Sequence, residues 1–120
     1  MTGSNESKEN RPADSKCGYD QALVTFTGHF GRETAVSLLD EFVEAIEELI
    51  PDLEAKMRTR DMLQVTPLTH RLIGLCPVYK AGRLADLGHM MEQEMRRGDW
   101  LAVESHNQQL RAAFAEYMGR

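Results

Sequence analysis

At 120 residues, with a formal net charge of −5, 42% hydrophobic and 28% charged residues, the chain supports one small folded domain and excludes a second independent core. The acidic balance argues against general nucleic-acid binding, no run approaches the roughly 18 consecutive apolar residues of a membrane span, and the polar start MTGSNESKEN lacks the apolar core of a secretory signal. Cys17 and Cys76 stand apart without CxxC spacing, which suggests neither a disulfide framework nor a structural zinc site, so a cytoplasmic protein with reduced thiols is expected.

Residues 1–18 are rich in Ser, Asn, Glu and Lys and offer almost nothing to bury, so they read as a disordered leader, with the domain occupying residues 19–120. Tyr19 to Phe26 reads as a brief helix, broken by Gly28 to Gly31. A long helix follows, because Ala35, Leu39, Phe42, Ile46, Leu49, Ile50, Leu53 and Met57 recur at spacings of three and four. The register continues across Pro51, which should kink this helix rather than end it. Asp61 is placed to cap the next helix, whose buried stripe is Val65, Leu68, Leu72, Leu75 and Tyr79, and which Pro67 and Pro77 bend. A further helix runs from about Arg83 to Arg97 on Leu84, Leu87, Met91 and Met95, with Gly98 as its stop.

Asp99 caps the last helix, whose stripe is Trp100, Val103, Leu110, Phe114 and Tyr117. Asn107 falls on that stripe and should bond a backbone carbonyl or edge toward solvent, while His29 and His106 read as surface or capping residues. No segment alternates with period two. Short connections favour antiparallel neighbours, so the predicted fold is all-α: an antiparallel up-and-down four-helix bundle with a short additional N-terminal helix.

Charge is unevenly placed. Residues 19–55 carry one Arg against nine acids, a local charge of −8, whereas residues 56–99 carry eight basic against five acidic residues, a local charge of +3. Within this second segment His70 lies roughly 160° from the centre of its helix's apolar stripe, at 100° per residue. Ile73, Gly74 and Pro77 share its side, and Gly74 removes an obstructing side chain one turn later, which leaves the imidazole open to a protein partner. On the following helix His89 and Glu92 are three apart, on one edge that an antiparallel pairing turns toward His70. A carboxylate there can accept from the Nδ1 hydrogen of His70, fixing the tautomer and leaving the Nε2 lone pair as a nucleophile. Spacing alone equally allows Glu92 to be a surface carboxylate paired with Arg96.

The segment Thr69-His70-Arg71-Leu72-Ile73-Gly74, followed by Ala81, Leu84 and Leu87, resembles the histidine-containing phosphotransfer (HPt) domains of two-component phosphorelays, whose signature is Ala-His-x-Leu-Lys-Gly. The resemblance extends over about residues 19 to 118, and the His89-Met90-Met91-Glu92 stretch is similar to the phosphotransfer domain of chemotaxis histidine kinases. It implies His70 as phosphoryl acceptor, Glu92 as the residue that orients the imidazole, and His89 in a secondary network. Ile73 stands where the family has Lys, Thr69 where it has Ala, and Lys80 where it commonly has Gly; Arg71 and Lys80 are the candidates to replace the missing charge.

The implied function is a histidine phosphocarrier exchanging a phosphoryl group with the aspartate of response-regulator receiver domains. Arg71, Ile73, Gly74, Pro77 and Lys80 form the expected partner-binding face, and Ile73 is expected to be exposed beside the histidine. The expected partners are receiver domains and a sensor or hybrid histidine kinase, with no nucleic acid or membrane, and the chain is expected to be a monomer. No cofactor is expected here, Mg²⁺ belonging to the receiver, and the absence of a Walker A or kinase glycine loop argues for a carrier rather than an ATP-using enzyme. Two other readings stand beside this one: a receiver-binding module that no longer transfers phosphate, motivated by Ile73, and a bundle in which His70, His89 and Glu92 bind a metal.

Overall fold

The computed structural model describes residues 17–120, which form five α-helices and a 3₁₀ turn, with no strand among them. The helices are α1 (Gly18–Phe30), α2 (Arg32–Met57), α3 (Met62–Leu75), α4 (Gly82–Arg96) and α5 (Trp100–Tyr117), and the 3₁₀ turn is Pro77–Tyr79. α2 packs on α3, α3 on α4, α4 on α5 and α5 on α2, so these four close around one core, while α1 lies along the first part of α2.

The helix ends have local causes. Asp61 Oδ1 accepts from the Leu63 N–H at 2.9 Å and Asp99 Oδ1 from the Ala102 N–H at 3.2 Å, so both expected caps satisfy a donor that the first helical turn leaves free. α2 continues through Pro51 because the stripe on either side of it, from Ala35 to Met57, is buried without interruption of register. The first helix is longer than its sequence predicts. Gly28 remains helical in open space, and the chain breaks only at Gly31, whose φ of +86° lies where a side chain would be strained. It also starts at Gly18, one residue inside the expected leader, the rest of which lies outside the described residues apart from Cys17. A Cβ on Gly18 would come within 2.5 Å of the Tyr117 ring, so this close approach requires glycine.

The stripe of α3 differs from the expected one. Its buried residues are Val65, Thr69 and Leu72, continued by Cys76, while Leu68 and Leu75 flank the core half-buried. Spacings of four, three and four keep to a straight helical face, and the large leucines had drawn the sequence reading one residue aside. Pro77 does not bend α3; the helix ends at Leu75 and Pro77 opens the 3₁₀ turn, where its missing donor costs nothing. On α5, Trp100 is only half-buried, and Asn107 is buried with no hydrogen-bond partner for its Oδ1 among the described residues. His106 is not a surface residue either: its Nδ1 lies 2.8 Å from Glu94 Oε1, joining α5 to α4 in a half-buried pair.

Two apolar clusters share one aromatic junction. The main core contains Phe42, Ile46, Leu53, Leu72, Leu87 and Leu110, and the smaller one Ala22, Phe26, Ala35 and Leu39. Tyr79 stacks on Phe42 at 4.3 Å between centroids and meets Phe26 edge-on at 5.5 Å, geometries that such rings favour. The Tyr117 hydroxyl donates to the Tyr79 carbonyl at 2.7 Å, which ties the end of α5 to the 3₁₀ turn and lets burial push the phenol's pKa upward. Burial likewise pushes the Cys76 thiol up to about 12, so it stays protonated.

Arg111 on α5 grips Glu54 on α2 through two bonds of 2.7 Å, and this hydrogen bond holds the Glu54 carboxyl below its ordinary range. A carboxyl more acidic in the folded than in the unfolded chain contributes stability that is complete above the ordinary carboxylate range and is lost as pH falls through the lowered value. Arg111→Ala should therefore unfold at lower urea concentration than the parent at neutral pH, with the gap closing in acid, as paired denaturation curves would show.

Candidate functional site

His70 projects from the outer face of α3 with its side chain 63% exposed. Leu63, Pro67 and Gly74 lie three to seven residues from it along the helix, so they share its face to within about 60°. All three are exposed, Leu63 at 86%, and the histidine thus stands in a largely apolar, open ridge.

Across the seam with α4, Glu92 Oε2 lies 2.8 Å from His70 Nε2, and the Glu92 side chain is only 11% exposed. Gly88, one turn earlier on α4, lets the two helices approach. A Cβ there would stand 3.0 Å from Ile73 Cγ1 and 3.4 Å from Leu72 Cδ2. Thr69, fully buried, completes the cluster: its Oγ1 lies 3.0 Å from the Thr66 carbonyl and 3.2 Å from the same Glu92 Oε2.

The pairing of His70 with Glu92 therefore appears in the structure, through the opposite nitrogen from the one expected. The carboxylate reaches over from a neighbouring helix and meets the far edge of a ring extended from α3, so it engages Nε2 rather than Nδ1. The contact stands at ion-pair distance, close enough for the carboxylate to offset positive charge on the ring. Glu92 turns to His70 and Thr69, and no ion pair with Arg96 forms among the described residues.

His89 does not join them. Three residues before Glu92 is about 60° around the helix, which carries His89 to the solvent side, where its side chain makes no hydrogen bond or ion pair among the described residues. Ile73 is half-buried over Gly88 instead of exposed, because the missing Cβ opens a seat for it. Arg71, Gly74, Pro77 and Lys80 are exposed, as a partner-binding face needs. Lys80 adopts φ +62°, ψ +30°, the left-handed conformation that glycine takes most readily. Among the described residues no three His, Cys, Asp or Glu side chains gather as a metal ion requires, and no helix is long and apolar enough to cross a membrane.

A nearly buried carboxylate beside an exposed imidazole suits a nucleophilic nitrogen that accepts and releases a group brought by a partner. The family model of the Hpt domain matches residues 37–118, from the second turn of α2 to the end of α5. This chain belongs to the Hpt domain family. Comparisons with curated proteins and with solved structures find no match. Membership places this Hpt domain in phosphotransfer of two-component signalling, and the matched segment contains both His70 and Glu92, leaving α1 outside.

Three residues of the Hpt site escape a reading by stripe and motif. Thr69 looks polar and therefore peripheral, although its spacing from Val65 and Leu72 marks it as buried. Leu63 is a leucine seven residues before His70, off the buried stripe. Gly88 falls four residues before Glu92, a spacing that puts a gap directly beside the carboxylate.

Gly88→Ala sets two effects against each other. Alanine gains about 0.5–1 kcal/mol of helix stability, while overpacking a filled seam costs about 1–3 kcal/mol. The substitution should destabilise the native chain and stabilise the Ile73→Ala background, a reversal of sign readable from urea midpoints in a double-mutant cycle.

Proposed function

We propose that this Hpt domain carries a phosphoryl group on His70, exchanging it with the aspartate of a response-regulator receiver domain. The observation that carries the reading is the contact of the nearly buried Glu92 carboxylate with one nitrogen of an exposed imidazole. The α2–α5 helices, joined by short connections, run as an antiparallel up-and-down bundle that presents this histidine on its exposed flank.

In the forward step the ring nitrogen not engaged by Glu92, Nδ1 in the conformation described, attacks the phosphorus of an aspartyl phosphate. A nitrogen–phosphorus bond forms as the acyl oxygen–phosphorus bond breaks, and the aspartate leaves with the electron pair. The imidazole becomes positively charged, keeping its proton on the nitrogen that faces Glu92. The nearly buried carboxylate offsets that charge, and with water mostly excluded from its side the attraction is stronger than it would be in bulk solvent. The reverse step restores a neutral ring. Positioning and charge stabilisation dominate phosphoryl transfer, and the receiver supplies its own Mg²⁺.

The apolar ridge of Leu63, Pro67 and Gly74, with Arg71 beside the histidine, supports docking of a receiver over His70. A non-transferring receptor for receivers was motivated by an exposed Ile73; that side chain is half-buried in the helix seam, so the structure offers this reading no support.

Phosphorylated receiver domains mixed with the purified chain test the proposal. Label should pass to the native chain as acid-labile, base-stable phosphate and should be absent from His70→Gln. Glu92→Ala removes the carboxylate that offsets charge on the ring and should slow transfer roughly 10- to 100-fold. Equal labelling of native and His70→Gln chains would refute the assignment.

A further inference from the structure

The helices α2 to α5 meet along four seams, and the α2–α5 seam lies across the bundle from the α3–α4 seam where His70 and Glu92 meet. An open groove of about 270 Å³ enters it, lined by Glu54, Met57 and Arg58 of α2 and Glu104, Asn107 and Gln108 of α5. Its floor includes a residue that does not suit a core. Asn107 lies in the buried stripe between Val103 and Leu110 and is 5% exposed, yet its side-chain amide makes no hydrogen bond among the described residues.

A primary amide offers one acceptor and two donors, and leaving them unmet in a buried position costs stability that leucine, of nearly the same branched shape, would not cost. The terminal torsion of asparagine is broad and nearly two-fold, so either end of the amide can turn toward the groove. The charges at the rim are also unequally engaged. Arg111 holds Glu54 through two bonds of 2.7 Å, and Arg60 donates to Glu104 at 3.3 Å. Arg58 is exposed and forms no ion pair among the described residues, acting on Glu54 only through space.

The groove thus presents an unmet amide at its floor and an uncommitted cation at its rim. A peptide answers both. A residue in extended conformation turns its N–H and C=O to one edge, where a single side-chain amide meets the two together, and a neighbouring carboxylate meets the guanidinium. In this mode of recognition the main-chain bonds give affinity and the side chains give selectivity.

We propose that the α2–α5 groove is a second binding site, for an extended acidic peptide segment of a partner protein, with Asn107 pairing to its backbone and Arg58 to a Glu or Asp side chain. The site goes beyond the carrier role and does not depend on it. The groove and His70 open on opposite flanks, so a partner held here leaves the histidine free, and one bundle holds one protein while exchanging phosphate with another.

The experiment titrates the full ¹⁵N-labelled chain with acetyl-Ala-Glu-Ala-Glu-Ala-amide, and with the same peptide carrying Gln for Glu. Native, Asn107→Leu, Arg58→Gln and His70→Gln forms are compared, with a urea midpoint for each. The acidic peptide should shift the Asn107 side-chain amide and the backbone signals flanking the groove, and leave those around His70 unmoved. Asn107→Leu should weaken binding roughly 10-fold, the scale of two hydrogen bonds, while raising the urea midpoint by about 0.5 M, since the unmet amide is gone. Arg58→Gln should weaken the acidic peptide roughly 2- to 5-fold and leave the Gln peptide unchanged. His70→Gln should bind as the native chain does. A fall in the urea midpoint of Asn107→Leu overturns the proposal, because the amide then serves the fold. Binding that Asn107→Leu leaves intact overturns it too, as does the absence of any shift up to millimolar peptide, which would leave the groove to water.

Discussion

A carboxylate removed from water holds its place only where donors reach it, and the chemistry of this Hpt domain depends on how Glu92 meets that condition. It lies in a seam that narrows at Gly88, faces inward at 11% exposure, accepts from the Thr69 hydroxyl on the interior side and meets the His70 ring at 2.8 Å on the surface side. Each part of that arrangement has a separate origin in the chain. The narrow seam comes from a missing Cβ, the inward donor from a threonine on the core face of α3, and the outward contact from the histidine next to it on the exposed face. The nucleophile and the core are thus linked through a single oxygen atom.

The helices were legible in sequence wherever a cap or a periodic stripe announced them. Asp61 and Asp99 cap as their positions suggest, and α2 shows every expected core residue from Ala35 to Met57. Legibility failed where hydrophobicity and geometry disagreed. Leu68 and Leu75 outweigh Thr69 and Cys76 on any scale of apolarity, yet the straight helical face through Val65 and Leu72 passes through the smaller residues. Gly28 looked like a break because glycine often is one, but an exposed glycine within a packed helix costs only about 1 kcal/mol and tertiary contacts absorb it.

At the site, residue identities were more legible than their orientations. The spacing of His70 and Glu92 pointed to their meeting, since both positions face the α3–α4 seam once the helices pair. Which nitrogen Glu92 engages depends on the reach of two side chains across that seam, and no spacing rule contains that length. Ile73 and His89 show the same limit from opposite sides. A side chain at the margin of a helical stripe is buried or exposed according to what faces it, and Gly88 faces Ile73 while solvent faces His89.

The junction at Tyr79 bears on where this protein can be divided. The segment matched by the Hpt family begins at Ser37, within α2, and so excludes Ala22, Phe26 and Ala35. Those residues cover Leu39 and one edge of Tyr79, whose other face stacks on Phe42 in the main core. A chain trimmed to the family boundary would keep every residue of the phosphotransfer site and yet lose one wall of the turn that joins α3 to α4. The unit recognised by its sequence and the unit that packs together therefore have different edges, and the second is the longer by a helix.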